Sequence, residues 1–433
     1  MLGISKKIDT YGVLLAIFML QFSFIWIFKQ TIFKSNIVQY LFYVIFVALF
    51  SGLYLLNIRG IRTEKPIRMW MPYMLLTLMM SVLSMSTEFI VYYLSCIVII
   101  LLATKKNIIS DFPMWIMMFL GIYSIVGILV QMILSDYYAI FVAPLFMTED
   151  SDSVVMIWQE GGYGLAGFAY QLDITSNFLI LAEAAWIYYY KSKIAKILYW
   201  SVLIVIVVFV FLTGKRYASF CSIVIPIGIM LISQKNAGRT IVSLFLVLVI
   251  SSLGTLYFVE HAREYQDSIV LGRAARSVLD YKRGDDIESG RKELREAALN
   301  MWSSNPILGV GLSQKSKEGT ILEIGCHNAY LQTLCNQGII GFLLWFFPLV
   351  VCIFFTIRQI KKCGRYTELK RWFEFSLFIQ VYFLLSGWSG NPSTDHHRYS
   401  MYYIAIAILA DATFRLRKVK REALQKNHIS VKV

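Results

Sequence analysis

The apolar positions of this chain come in long runs. Stretches of about 17 to 25 residues, the length of helix that spans a bilayer's hydrocarbon core, recur between short segments in which Lys and Arg collect. Twelve runs can be marked, near 11–28, 37–56, 69–85, 89–103, 112–134, 174–190, 195–213, 217–233, 240–259, 329–357, 373–387 and 399–414. The pattern predicts an all-α polytopic membrane protein, a single integral membrane domain over 1–433. Lys6 and Lys7 ahead of the first run suggest a signal peptide. That run is too long and lacks a small-residue cleavage site, so it reads as a retained first helix.

Composition agrees. The chain is 58% hydrophobic and 16% charged, against about 25% charged in ordinary globular domains. A net charge of +14 would point to nucleic acid in a soluble protein, but here the Lys and Arg residues sit mostly in loops, where the positive-inside rule accounts for them. No nucleic acid partner is needed; the partner is the lipid bilayer. With the N-terminus in the cytoplasm, the inner loops carry Arg59, Arg62, Lys65 and Arg68, then Lys105 and Lys106, then Lys191, Lys193 and Lys196, then Lys235 and Arg239. The loop from Arg358 to Arg371 and the tail from Arg415 to Arg421 continue the series. The opposite loop at 135–173 has no Lys or Arg and holds Asp136, Glu149, Asp150, Asp152, Glu160 and Asp173. The expected topology is N-in, C-in, with two long outer loops, 135–173 and 260–328. The six cysteines, at 96, 221, 326, 335, 352 and 363, form no Cys-x-x-Cys pair and signal neither a metal nor a redox site.

Departures from the charge rule carry the chemistry. In Leu-Thr-Gly-Lys-Arg-Tyr-Ala-Ser-Phe (212–220), Lys215 and Arg216 occupy a tight outer turn between two apolar spans. Cations near hydrocarbon cost up to roughly 2.5 to 3.5 kcal/mol each on insertion scales, so they usually have a partner or a task. Snorkelling to headgroups is the plain alternative, more so for Lys215. A second departure lies at 288–306, where Leu294, Ala298, Met301 and Trp302 follow helical spacing and predict an amphipathic helix able to lie on the outer leaflet, ended by Asn305-Pro306. Arg291 and Lys292 would fall in its first turn, where the helix dipole disfavours cations unless a bound anion reverses the sign. A charged, solvated face with Glu288, Glu293 and Glu296 as neighbours is the plain alternative. Third, Cys326-His327-Asn328 opens the tenth run. Asn328 fits the N-cap, its side chain accepting a backbone N–H; His327 has no such local explanation.

Other candidates are weaker. Glu149-Asp150-Ser151-Asp152 contains Asp-x-Asp, a metal motif in many glycosyltransferases, but it reads here as a solvated acidic loop. Asp395, His396 and His397 lack further zinc ligands at recognised spacing, so Arg398, with His397, is taken as a substrate contact. Sugar faces pack on rings such as Tyr137, Tyr138, Tyr163 and Tyr170, but an interfacial aromatic belt explains them equally well, and none is assigned a role. No metal and no cofactor is expected.

Together the outer residues resemble the O-antigen ligases and polymerases, bacterial membrane glycosyltransferases of the GT-C type. The resemblance lies within about 205–350. It rests on Thr213-Gly214-Lys215-Arg216 between spans, on Arg291 with Asn305-Pro306-Ile-Leu-Gly309-Val-Gly311, and on His327-Asn328-Ala-Tyr330-Leu331-Gln332 with Gly338-Ile-Ile-Gly341. Lys215 stands where the family often has a small residue. The resemblance implies a GT-C-like fold in the bacterial plasma membrane, an active site on its outer face and a glycan donor carried on undecaprenyl diphosphate. Arg216 and Arg291 would then grip the diphosphate and stabilise charge as it leaves. Lys215, Asn328, Arg295, His397 and Arg398 would contact substrate. His327, kept neutral by nearby guanidiniums, would take the proton from the attacking sugar hydroxyl.

Three functions compete. A polymerase moves the growing chain onto a new lipid-linked repeat, in O antigen, capsule or exopolysaccharide; its chain length can depend on a separate regulator, for which no residue here speaks. A ligase moves finished glycan to a lipid or cell-wall acceptor. A lipid-oligosaccharide flippase is of another class, but transporters place charged sites near the bilayer midplane. Here the spans hold few ionisable residues, chiefly Glu183 and Asp411, and the candidates collect at one surface.

Overall fold

A computed structural model describes residues 41, 44–49, 51–52, 64–84, 90, 93–94, 96–98, 111–146, 165, 167–168, 171–189, 191–213, 215–233, 237–268, 271–284, 291–312, 326–364, 366–388 and 396–430. The predicted first span, Lys6 and Lys7, Glu149 to Asp152, Tyr163 and Tyr170 lie outside them. The second and fourth predicted spans are described in part and are helical there.

Eleven longer helices organise the described residues, with no strand among them. They are α1 (Lys65–Leu83), α2 (Asp111–Ile133), α3 (Gln171–Tyr189), α4 (Lys193–Leu212), α5 (Arg216–Ser233), α6 (Ala237–Glu260), α7 (Gly272–Arg283), α8 (Arg291–Ser304), α9 (Ala329–Cys363), α10 (Thr367–Ser386) and α11 (His396–Ser430). Local signals set several of their ends. Pro66 stands in the first turn of α1, where its missing N–H costs nothing. Ser192 caps α4 by accepting from Ala195 N at 3.1 Å. Among the described residues, four helices are long and apolar enough to cross a membrane: Lys65–Leu83, Met114–Ile133, Lys193–Leu212 and Ala329–Cys363. Phe178–Tyr189 and Tyr217–Ser233 are shorter apolar helices. This is a helical, multi-pass membrane protein.

The core is built around α10 and α11. From Tyr399 to Thr413 every residue of α11 is buried, on all faces, as is the stretch Trp372–Gln380 of α10. A helix apolar all round belongs inside a bundle or bilayer rather than on a surface. Around this axis pack α1, α3, α5 and α9, with aromatic contacts filling the gaps. Trp70 meets Tyr402 and Tyr403 edge to face at 5.2 and 5.3 Å, and Tyr399 meets Tyr403 at 4.8 Å.

The structure adds detail to these expectations. The start of the expected outer segment, from 135 through Phe146, is helical, with a π-helical turn at Tyr138–Val142, because the apolar sequence continues past the Ser135-Asp136 interruption. The Tyr138 hydroxyl is buried and donates to Gly167 O at 2.6 Å, so this tyrosine serves packing rather than a belt. The basic tail is helical: α11 continues to Ser430. α8 does not simply lie on lipid. Its Ala298 and Met301 pack on Cys326 and Leu331, so its apolar stripe is partnered by the start of α9.

Candidate active site

Both candidate arginines head helices. α4 ends at Leu212 and α5 begins at Arg216, which confirms the tight turn. Thr213 closes α4, its hydroxyl donating to Val210 O at 2.6 Å, and Lys215 opens α5, its carbonyl accepting from Ser219 N at 3.0 Å. Lys215 is half-buried. α8 begins at Arg291 and stops at Ser304, just before Asn305-Pro306, as the sequence predicted at both ends. The side chains of Arg216, Arg291 and His397 fall outside what the structure describes.

His327 sits at a sharp corner. Its φ is +49°, the one positive value among the described non-glycine residues. The left-handed conformation costs a histidine of order 1 kcal/mol and persists where the surroundings over-determine it. They do so here. Asn328 caps α9, its Oδ1 accepting from Tyr330 N at 3.0 Å and Leu331 N at 3.1 Å, which bears out the cap reading. Gln332 reaches back so that its Oε1 accepts from Cys326 N at 3.1 Å. Cys326 is fully buried in the seam between α8 and α9, and Ala329 N donates to Gly387 O at 2.8 Å. The corner is therefore tied from three sides.

Contacts then lead from His327 to each arginine-headed helix. Toward α5, Gly387 follows the last turn of α10, where the Tyr330 hydroxyl donates to Leu384 O. One turn earlier Tyr382 stacks on Tyr217, with centroids 6.4 Å apart, and its carbonyl accepts from the Tyr217 hydroxyl at 3.4 Å. Tyr217 is the residue after Arg216. Toward α8, Arg295 stands one turn beyond Arg291 and its charge reaches the Cys326 thiol, next to His327. Burial pushes that thiol above its ordinary pKa, and Arg295 works against the rise. Arg398, half-buried at the start of α11, acts electrostatically on Tyr217 and Cys221, so it faces the first turns of α5. The starts of α5, α9 and α11 and the end of α10 thus share one end of the bundle, with α8 seated on the start of α9.

α9 is two helices. At Gly338 φ is 62° and ψ is −169°, a conformation open essentially to glycine alone. Residues 329–337 form a short arm behind His327, and the long arm runs on from Ile339 to Cys363. Sequence pattern missed this break, although a glycine inside a long apolar run is a known sign of close backbone approach.

Residues 178–346, from α3 to the first turns of α9's long arm, match the family model described as O-antigen ligase. Over that stretch the chain is similar to the O-antigen ligases. No curated protein matches it. The O-antigen ligase segment takes in Lys215, Arg216, Arg291, Arg295, His327, Asn328 and Gly338, and it ends before His397 and Arg398. That match supports a coarse functional reading: a membrane enzyme of ligase or polymerase type acting on lipid-linked oligosaccharide.

Proposed function

We propose that this chain is a polymerase of lipid-linked repeat units. The glycan on one undecaprenyl diphosphate is transferred to a hydroxyl of a second lipid-linked repeat. That hydroxyl oxygen attacks the anomeric carbon and forms the new C–O bond while the bond from that carbon to phosphate breaks. The electron pair leaves with undecaprenyl diphosphate, and the hydroxyl proton passes to the imidazole of His327. Arg216 and Arg291, heading two helices, hold the diphosphate and offset its growing charge. Lys215, Asn328, Arg295, Arg398 and His397 contact substrate around them. The site faces outward from the bacterial plasma membrane, in a chain of about twelve spans with both termini inside, GT-C-like in layout.

The observation that carries this reading is the strained His327 corner, tied through Ala329 to the helix that contacts Tyr217, and through Cys326 to the helix that starts at Arg291. A histidine held in the left-handed region by three neighbours suits a group whose position matters more than its comfort. The family's own description favours a second reading, a ligase transferring finished glycan to another acceptor. The donor site would be shared; the acceptor differs.

A deletion strain complemented with His327→Ala tests the chemistry, and the glycan pattern of the deletion separates the readings. Loss of a polymerase leaves single repeats still attached to their acceptor; loss of a ligase leaves long chains on the carrier. Wild-type glycan in a strain carrying correctly inserted His327→Ala would end the base role.

A further inference from the structure

The break in α9 is spliced by another part of the chain. At such a break the helix loses ladder bonds, and peptide groups left open in an apolar setting are costly. The loop after α8 supplies the missing partners. Ile339 N donates to Pro306 O at 2.9 Å and Ile340 N to Ile307 O at 3.4 Å, while Val310 N and Gly311 N donate to Cys335 O and Asn336 O, both at 2.9 Å. Pro306–Gly311 thus lies in the break as a strand of backbone, serving donors on one side and acceptors on the other.

The fit permits no side chain at the crossing. A Cβ on Gly309 would stand 2.5 Å from Asn336 C, Gln337 N and Gly338 N, and one on Gly338 would fall onto the Ile307 carbonyl. Gly309 also has a φ of +72°. The loop is joined tightly to α8: Gly309 N donates to Asn305 O at 2.9 Å, and the Trp302 indole N–H donates to Pro306 O at 3.1 Å. α8 is therefore held to the short arm of α9 twice, at its start by Ala298 and Met301 against Cys326 and Leu331, and at its end by the loop in the break.

We propose that Pro306–Gly311 is a positioning clip: seated in the α9 break, it fixes the helix that begins at Arg291 against the His327 corner, with Gly309 and Gly338 as the positioning residues. The inference rests on the glycosyl-transfer reading above. The two glycines touch no substrate; they set where the groups that do are standing. A reaction that needs its groups within a fraction of an ångström responds steeply to a slipped clip.

The test uses the full chain, purified in detergent, with lipid-linked oligosaccharide extracted from a strain lacking it as substrate and undecaprenyl diphosphate as the binding probe. Gly309→Ala is expected to lower kcat by about 30-fold or more, to weaken undecaprenyl diphosphate binding by a smaller factor because Arg291 shifts while Arg216 keeps its place, and to expose Cys326 to maleimide. Gly284→Ala is the control; its glycine is also left-handed, at φ +81°, but ends α7 in open space, and it should keep the wild-type kcat. Should Gly309→Ala not insert, Trp302→Phe decides, with kcat about threefold lower and KM unchanged for loss of one hydrogen bond. A folded Gly309→Ala at full kcat, a Trp302→Phe protein that labels at Cys326 yet turns over normally, or an equal loss in Gly284→Ala would overturn the clip while leaving the transfer reading intact. A wild-type protein inert on extracts from every such strain would sink the transfer reading and the clip's role with it.

Discussion

The indole N–H of Trp186 donates to Glu374 Oε2 at 2.7 Å in the interior of the bundle. Glu374 is fully buried; its other oxygen accepts from the Ser233 hydroxyl and lies 3.5 Å from Lys370 Nζ. One carboxylate therefore joins α3, α5 and α10 at the end away from His327. Removing one member of a buried ion pair typically costs about 3 to 5 kcal/mol, because the remaining charge loses its partner. Glu374→Ala should lose that much, seen as a large fall in melting temperature in detergent. Trp186→Phe keeps an aromatic ring but loses the donor and the second ring of the indole, and should cost at least about 1.5 to 3 kcal/mol. An Ala variant melting like wild type would show that the hub contributes nothing.

Asn328 serves two backbone donors with one oxygen. Asn328→Ala should destabilise the start of α9 by about 1 kcal/mol, whereas Asn328→Asp or Asn328→Ser should lose little. Hydrogen exchange at the Tyr330 and Leu331 amides reads this directly, with faster exchange expected only in the alanine variant.

His327 separates stability from activity. Its left-handed backbone favours glycine, so His327→Gly should match or exceed wild type in melting temperature while losing about 10²- to 10⁴-fold in transfer rate, the usual contribution of a general base. A variant that is both unstable and inactive would assign the residue a structural task instead.

The Cys326 thiol, raised by burial, holds less thiolate at any given pH than an ordinary cysteine. Maleimide labelling of the folded protein should therefore lag behind a free thiol near neutral pH and accelerate only above the ordinary thiol range. Rapid labelling at neutral pH would mean that the seam between α8 and α9 opens.

If cationic side chains alone neutralise the leaving diphosphate, transfer should proceed at an unchanged rate in EDTA. Loss of turnover restored by Mg²⁺ would return Glu149, Asp150 and Asp152 to consideration.

Much of this architecture was legible because the rules that write it are local. The helix start at Arg291, its stop before Asn305-Pro306 and the Asn328 cap each depend on a few neighbouring residues. The buried stretch of α11 lay where the apolar run predicted. What escaped depends on partners far along the chain. Gly338 reads as an ordinary glycine in an apolar helix until Pro306–Gly311 is laid across it. Glu374 falls within a predicted span yet drew less notice than Glu183 and Asp411, since its partners Trp186 and Ser233 come from other helices. Asp411 proved a simple neighbour of Arg415 at 3.3 Å, one helical turn away. The seating of α8 on Cys326 likewise cannot be derived from its own periodicity, which specifies an apolar stripe but not what covers it.

The pairing of Glu64 with Arg417, at 2.5 Å, joins the residue just before α1 to the edge of the buried part of α11, beside the buried Leu416. The Glu64 side chain is only 10% exposed and lies against a guanidinium contributed from a helix 353 positions along the chain. Anyone trimming this protein for expression should treat position 417 as internal: a stop codon ahead of Arg417 would strip a sheltered carboxylate of its counter-ion.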